Sequence, residues 1–326
     1  MRENRVRFFS EGLHIEALVR RPDTVPESDR GYPVIVHGPG WVGLADSPIS
    51  ALYHEKFIEA GFAVVSPDYR GYGNSEGERG WILPNDQLQD LYNTITYVET
   101  VDDLDCDRVG VYGHGGTGGG NAIILAATDP RVRCVAAQSP IADGPTWIRS
   151  MRAQHEWLSF KERVRDNARR RVLEGVGELV DPREELMVAT PQRRAEHTRK
   201  GTDAQIGGDF HLAIAEHLMR YRPADYIGKI APRPLLLISL TDDVVTPEDQ
   251  GAELLHELAG EPKTLVRQNE AITHYRSYEK NLDVIAPLLI DFFRAGTQIS
   301  RLTVDRRIGG VHTIDRVGEL GEKSCG

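Results

Sequence analysis

The sequence contains few cysteines and no long apolar run. Three cysteines occur in 326 residues, Cys106, Cys134 and Cys325, and they are far apart and in no metal-ligand spacing. We therefore expect reduced thiols in a cytoplasmic protein, with Cys134 in the core because it lies in an apolar run. No apolar stretch approaches the roughly 20 residues of a membrane span, and no signal-peptide core is visible.

An excess of basic residues is also missing. The 39 Lys and Arg residues stand against 49 Asp and Glu residues, which makes the net charge −10. An acidic chain without a concentrated basic stripe is a poor candidate for binding nucleic acid or an anionic membrane. No group of His, Asp and Glu has metal-ligand spacing, and the Lys-Ser/Thr pair of a Walker loop is absent. We therefore expect a small-molecule substrate, no metal and no cofactor.

Short apolar runs alternate with segments of helical periodicity. Residues 33–37 and 62–66 are apolar runs next to glycines, which is typical of buried strands. Between them Ile49, Tyr53 and Phe57 recur at helical spacing. This alternation predicts an α/β fold with a doubly wound, mostly parallel sheet. In such sheets ligands bind at the carboxyl ends of the strands.

The alternation stops near Ala142 and resumes at a strand-like run that begins at residue 234. We therefore predict a core made of residues 1–142 and 226–296, with a helical cap inserted at residues 143–225 in which no strand is expected. Residues 297–326 form a polar C-terminal extension, for which an edge hairpin, a swapped arm and a disordered segment are alternatives. A swapped arm would make a homodimer.

Four groups of residues lie where strands are expected to end. They are His-Gly-Pro-Gly at 37–40, Asp-Tyr-Arg-Gly-Tyr-Gly-Asn-Ser at 68–75, Gly-His-Gly-Gly-Thr-Gly-Gly-Gly at 113–120, and the late segments around Asp243 and His274. In this order and spacing they resemble the α/β-hydrolase superfamily, which carries G-x-S-x-G at the third position. The resemblance covers about residues 30–142 and 230–295, and the cap looks most like those of esterase and acyl-peptidase-type members.

The resemblance implies an acid and a base. The family's acid usually lies four residues before the proline of this segment, which here is Pro247. That spacing selects Asp243, with Asp242 as the lesser candidate. His274 matches the late histidine of the family, and histidine suits a general base because its pKa lies near neutrality. Asp243 would fix the tautomer of His274.

At the third motif this chain lacks the serine that is the family's nucleophile. An alignment without gaps places the serine position on Gly115, which has no side chain to attack a substrate. A shifted alignment places Thr117 there, and threonine serves as a nucleophile in other enzymes. The elbow residue is held at positive φ, which glycine adopts freely and a β-branched residue does not. Gly115 therefore fits the elbow better than Thr117, which is expected in the first turn of the next helix.

The resemblance also implies an altered oxyanion hole. One donor would be the backbone N–H of Gly116, or of Gly118 in the shifted alignment. The second would come from Gly40 or Trp41, because proline at position 39 has no N–H.

Several side chains are candidates for the substrate pocket. His114 lies in the elbow itself, and the aromatic candidates are Tyr72, Trp147, Tyr275, Trp41 and Trp157. Asp68, Arg70 and Ser75 are expected to brace the strand ends.

Two functions from different classes agree with these residues. The first is a hydrolase of an ester, amide or related acyl bond, in which Thr117 or an activated water attacks and the pair His274–Asp243 is the base. The second is a lyase, cyclase or isomerase that uses His274 and Asp243 for proton transfer without a covalent nucleophile. A binding protein without catalysis is a third, weaker alternative.

Overall fold

The computed structural model describes residues 1–187, 208–269 and 273–298, together with the backbone of residues 310–314 and 320–322. The strands in these ranges are β1 (Arg2–Ser10), β2 (Leu13–Arg21), β3 (Tyr32–Gly38), β4 (Ala63–Pro67), β5 (Leu104–His114), β6 (Val132–Gln138), β7 (Leu179–Val180), β8 (Phe210–His211), β9 (Leu235–Leu240), β10 (Lys263–Gln268), β11 (Gly310–Ile314) and β12 (Leu320–Glu322). The α-helices are α1 (Pro48–Glu59), α2 (Pro84–Val98), α3 (Gly116–Thr128), α4 (Gly144–Ser150), α5 (Gln154–Glu174), α6 (Ile214–Leu218), α7 (Ala252–Leu258), α8 (His274–Lys280) and α9 (Leu282–Thr297).

Ten of the described strands form one twisted, mostly parallel sheet. Its order is β1-β2-β4-β3-β5-β6-β9-β10-β11-β12, and the pairs from β4 to β11 are parallel. The first two strands are joined by the turn Glu11-Gly12 and pair antiparallel. Parallel neighbours need a connection that crosses a face of the sheet, and that connection is usually a helix, so strands that alternate with helices pair in parallel. The predicted doubly wound α/β sheet is therefore confirmed.

Helices cover both faces of the sheet. On one face α1 and α9 pack against each other and against the sheet, with Phe57 and Phe293 fully buried between them. On the other face α2, α3 and α7 cover the strands, and residues of the segment 143–225 pack into the same apolar cluster. The inner strands are apolar on both faces because both faces are covered. Cys134 lies in the core, as expected, and Cys325 lies outside the described residues.

The segment 143–225 contains α4, α5, α6 and a π-helical turn at Pro182–Leu186. It also contains a short antiparallel ribbon in which β7 pairs with β8. The prediction that this segment has no strand was therefore wrong, because strands of two residues are too short to show periodicity. Residues 188–207 of this segment lie outside the described part.

The backbone of the C-terminal extension continues the sheet. Strand β11 pairs parallel with β10, and β12 pairs antiparallel with β11. This placement agrees with the edge-hairpin alternative. In the described residues no helix has the length and apolar character of a membrane-spanning segment.

Arg70 braces the strand ends through a buried ion pair. Its guanidinium donates to Asp90 Oδ1 at 2.7 Å, and Asp90 is fully buried. We expect Arg70→Met to lower the free energy of unfolding by about 3 kcal/mol, because it leaves a buried carboxylate without its counter-charge. Urea denaturation measures this change. Arg294→Met is the matched control, since Arg294 pairs only loosely with exposed Asp291 and should cost less than about 1 kcal/mol.

Candidate active site

A buried carboxylate and a buried histidine meet at the carboxyl end of the sheet. Asp243 follows β9, and His274 is the first residue of α8, whose start is capped by the side chain of Thr273. His274 Nδ1 and Asp243 Oδ2 are 2.6 Å apart, and both side chains are at most 5% exposed. Because Nδ1 donates to the carboxylate, Nε2 of His274 is left as the acceptor that a general base needs. The two residues predicted as acid and base are thus in contact.

The surroundings of Asp243 keep its carboxyl group ionised. Burial would raise its pKa, but attraction to His274 and the hydrogen bonds it accepts lower the pKa below the ordinary 3.8. Oδ1 accepts from the backbone N–H of Val245 at 2.8 Å, and Oδ2 accepts from the hydroxyl of Thr246 at 2.8 Å. These bonds also fix the direction in which the carboxylate points. A fixed, charged acceptor holds the imidazole of His274 in one tautomer and orientation.

Gly115 occupies a sharp turn between β5 and α3. Its φ is 72° and its ψ is 170°, in the left-handed half of the map that other residues rarely adopt. Among the described residues, one atom would lie within 4 Å of a Cβ built at this position, the Cα of Gly40 at 3.4 Å. The turn thus has the strand–elbow–helix geometry that presents a nucleophile in this fold, with space for a side chain but none present.

Thr117 lies in the first turn of α3, one residue inside the helix from Gly116. Its side chain is 2% exposed, and its hydroxyl makes no hydrogen bond with any described group, including His274. A nucleophile must lie within hydrogen-bond reach of the base that activates it. Thr117 therefore lines the site without being joined to the acid–base pair.

Backbone groups of two neighbouring loops face the elbow. Gly116 is the first residue of α3, and the first N–H groups of a helix have no partner inside the helix. Gly40 and Trp41 belong to the loop after β3, and both line the same cavity as Gly116. The close fit of loop and helix explains Gly118, because a Cβ there would lie 2.6 Å from the carbonyl oxygen of Pro39. This arrangement brings the residues predicted for an oxyanion hole to one place.

A cavity connects the elbow, His274 and the segment 143–225. The residues that line it are Gly40, Trp41, Val42, Gly43, Leu44, Ser47, Ile49, His114, Gly115, Gly116, Thr117, Trp147, Arg183, Met187, Val245, Thr246, His274, Tyr275 and Tyr278. Most of this lining is apolar or aromatic, as in sites for small organic ligands. Trp147 ties the segment 143–225 to the loop that carries Asp243, because its indole N–H donates to the carbonyl of Val245 at 2.8 Å.

Two aromatic residues named as pocket candidates lie elsewhere. Tyr72 is fully buried and does not line the cavity. Its hydroxyl donates to the carbonyl oxygen of Trp41. Trp157 stacks on Phe160 within α5 and is also absent from the lining. A sequence pattern marks both as apolar but does not show which side of the loop or helix each one takes.

Tyr278 is a site residue that the sequence analysis missed. Its hydroxyl accepts a hydrogen bond from the backbone N–H of Gly115 at 3.0 Å. Its ring lies between those of His114 and His274, with centroids 5.4 and 5.5 Å away. Burial raises the pKa of Tyr278, so the phenol stays protonated. The sequence offered one signal for it. Tyr278 lies four residues after His274, and residues four apart share one face of a helix.

Comparisons with known proteins identify the family. The model of the X-Pro dipeptidyl-peptidase (S15) family matches residues 11–205. An uncharacterized 31.7 kDa protein of the traX-finO intergenic region of Escherichia coli is 30% identical over 279 residues, which are 83% of this chain and 91% of that protein. The quorum-quenching protein AidA of Acinetobacter baumannii is 34% identical over 140 residues, 43% of this chain and 44% of AidA.

A solved structure shows the same fold at lower identity. The crystal structure of the α/β hydrolase GrgF from Penicillium sp. sh18 superposes with a TM-score of 0.75 at 20% identity, covering 91% of this chain and 99% of GrgF. The chain therefore belongs to the X-Pro dipeptidyl-peptidase (S15) family of the α/β-hydrolase superfamily and is an enzyme of general hydrolase character.

Proposed function

We propose that this enzyme hydrolyses an ester, amide or related acyl bond of a small organic substrate with a water molecule as the nucleophile. His274, oriented by Asp243, removes a proton from that water, and the water oxygen bonds to the acyl carbon in the space beside Gly115. The bond from the acyl carbon to the alcohol or amine then breaks, and the protonated imidazole of His274 returns the proton to that leaving group. The observation that carries the proposal is the buried pair of His274 and Asp243 facing a cavity whose elbow has no side chain. The pair retains its general-base geometry although the usual nucleophile is replaced by glycine.

The placement of Thr117 favours water over a covalent threonine. Its hydroxyl is not hydrogen-bonded to His274, and it lies in the helix rather than at the strained elbow. The elbow is where this fold exposes a nucleophile to the substrate. A water above Gly115 would occupy the region that a nucleophilic side chain fills in relatives of this fold.

Two buried polar groups favour a substrate with polar atoms. The indole Nε1 of Trp41 and the hydroxyl of Thr117 are buried, belong to residues that line the cavity and have no hydrogen-bond partner among the described residues. Leaving such groups unpaired costs on the order of 1–3 kcal/mol each, so a ligand that pairs with them gains that amount. The aromatic walls formed by Trp147 and Tyr275 would take the apolar part of the molecule.

The test is a panel of p-nitrophenyl esters, aryl thioesters and anilides of small acids. We expect turnover by the wild-type chain, a loss of about 100-fold or more in kcat for His274→Ala, and a kcat near the wild-type value for Thr117→Val. Intact-mass measurement during turnover should show no acyl adduct. An adduct on Thr117 would replace water by threonine in the mechanism, and a panel without any turnover would contradict the hydrolase proposal.

The empty elbow also favours a second candidate function. Without a covalent nucleophile, the same pair can move a proton in a lyase, cyclase or isomerase reaction. This candidate gains support if the panel shows no hydrolysis while diethyl pyrocarbonate still modifies Nε2 of His274 in the folded wild-type protein.

A further inference from the structure

The loop between β3 and α1 is held by three buried side chains that donate to its carbonyl groups. The phenol of Tyr69 donates to the carbonyl oxygen of Pro39 at 3.2 Å. The phenol of Tyr72 and the side-chain amide of Gln87 both donate to the carbonyl oxygen of Trp41, the amide at 3.1 Å. All three side chains are at most 2% exposed, and none is among the residues that line the cavity. The proposed mechanism gives them no role.

The phenol of Tyr69 is the donor in its bond to the loop. A carbonyl oxygen only accepts, so the proton of this bond belongs to the phenol. Tyr69 is fully buried, and burial raises the pKa of its phenol well above the ordinary value, so the proton stays in place at neutral pH. The neighbouring Gly38 admits the ring, because a Cβ there would lie 3.2 Å from the phenol oxygen.

The bond from Tyr69 fixes the direction of the next N–H group along the loop. The peptide between Pro39 and Gly40 is not among the cis peptide bonds of the described residues, so its C=O and N–H point in opposite directions. The carbonyl oxygen of Pro39 faces Tyr69 and also Gly118, where an added Cβ would lie 2.6 Å away. The N–H of Gly40 therefore points away from Tyr69 and from Gly118.

Gly40 itself lies against the elbow. Its Cα is 3.4 Å from a Cβ built at Gly115, and it lines the cavity together with Gly115 and Gly116. In the part of the chain that the structure describes, the N–H of Gly40 makes no hydrogen bond with another group of the protein. An acyl oxygen beside the elbow becomes negative when water attacks, and a fixed N–H donor at that place stabilises the charge.

We propose that Tyr69 is a positioning residue, which aims the N–H of Gly40 at the acyl oxygen of the substrate by holding the carbonyl of Pro39. This inference deepens the proposed function and rests on it. A peptide that is already oriented needs no reorganisation as the charge develops, whereas a rotating peptide would have to be ordered in each turnover. Tyr72 and Gln87 hold the carbonyl two residues further on, so the loop is fixed at a second point.

The first experiment measures the effect of Tyr69 on catalysis. Tyr69→Phe keeps the ring, and we expect it to lower kcat on p-nitrophenyl acetate about 10-fold with little change in KM. The loss is smaller than the roughly 10²–10³-fold cost of deleting an oxyanion donor, because the donor is misdirected and not removed. The pH profile of kcat should keep its wild-type shape, since His274 and Asp243 are untouched. Tyr32→Phe is the matched control and should keep the wild-type kcat, because Tyr32 is also buried and donates to a backbone carbonyl, that of Thr24, but lies at the opposite end of β3.

The second experiment observes the peptide directly by NMR. Residues 39 and 40 are the one Pro-Gly pair in the sequence, so protein labelled with carbonyl-¹³C proline and ¹⁵N glycine gives a single carbonyl-selected amide signal. The carbonyl shift of Pro39 should change in Tyr69→Phe and not in Tyr32→Phe. Trifluoroacetophenone, whose hydrate resembles the tetrahedral intermediate, should move the amide proton of Gly40 downfield in the wild type and less in Tyr69→Phe. Acetophenone, which is not hydrated, should bind both proteins equally.

The outcomes separate this inference from the proposed function. A wild-type kcat in folded Tyr69→Phe, a changed pH profile in that variant, or a Gly40 amide proton that trifluoroacetophenone leaves unmoved would overturn the inference. The last of these is measured on the wild-type protein, so it applies even if Tyr69→Phe does not fold. Wild-type protein without acyl hydrolysis would overturn the proposed function and the positioning role together, whereas the carbonyl shift of Pro39 would still decide whether Tyr69 holds this peptide.

Discussion

Gly115→Ser is expected to convert an enzyme that does not react with a fluorophosphonate into one that takes up a single equivalent. The backbone at residue 115 already has the elbow geometry, and in the part of the chain that the structure describes an added Cβ would have one neighbour within 4 Å, the Cα of Gly40 at 3.4 Å. A serine at positive φ costs about 1–3 kcal/mol, which a folded domain of this size can tolerate. Intact-mass measurement followed by peptide mapping should place the adduct on residue 115.

Two further variants make this result specific. Gly115→Ala introduces the same backbone strain without a hydroxyl and should remain unlabelled. Gly115→Ser combined with His274→Ala should lose the labelling, because the new hydroxyl then has no base. A folded Gly115→Ser protein that stays unlabelled would contradict the placement of His274 as the base that serves the elbow.

Asp243→Asn should lower kcat for the acyl substrate by about 10²–10⁴-fold while KM changes little. Asparagine keeps the size of the side chain, but its amide group can donate to Nδ1 of His274 and so favour the wrong tautomer. The carboxylate charge that stabilises the imidazolium is lost as well. Steady-state kinetics across the pH range in which the protein is folded measures the effect.

Asp242→Asn is the matched control for this prediction. Asp242 is the adjacent residue, is exposed and has a φ of 59°, a conformation that asparagine tolerates as well as aspartate does. We expect wild-type kinetics from this variant. A large loss of kcat in Asp242→Asn together with none in Asp243→Asn would show that Asp242 is the acid, and it would contradict the role that we give to Asp243.

The sequence by itself determined the fold class, and it singled out Gly115 at the elbow and Asp243 and His274 as candidates for the acid and the base. Alternating apolar runs and helical spacing are local signals, and a fully covered parallel sheet is their usual outcome. The conformation of Gly115 is also a local property, because positive φ selects glycine over threonine whatever lies around it. Asp243 could be selected because the family's acid usually lies four residues before the proline that is here Pro247. His274 could be selected because it follows the last short strand and precedes the last helix, as the family's late histidine does.

Only the tertiary structure decided which distant side chains meet. Arg20 on β2, His54 on α1, His37 on β3 and His114 at the end of β5 are joined in this order by hydrogen bonds of 2.7 Å. These contacts depend on the strand order β2-β4-β3-β5, on the register that places His37 opposite Tyr112, and on the packing of α1 against the sheet. The missing bond between Thr117 and His274 and the position of Tyr278 against Gly115 have the same origin. Periodicity shows which face of an element is apolar, but the strand order, the register and the packing of a helix onto its neighbour come from the balance of the whole core.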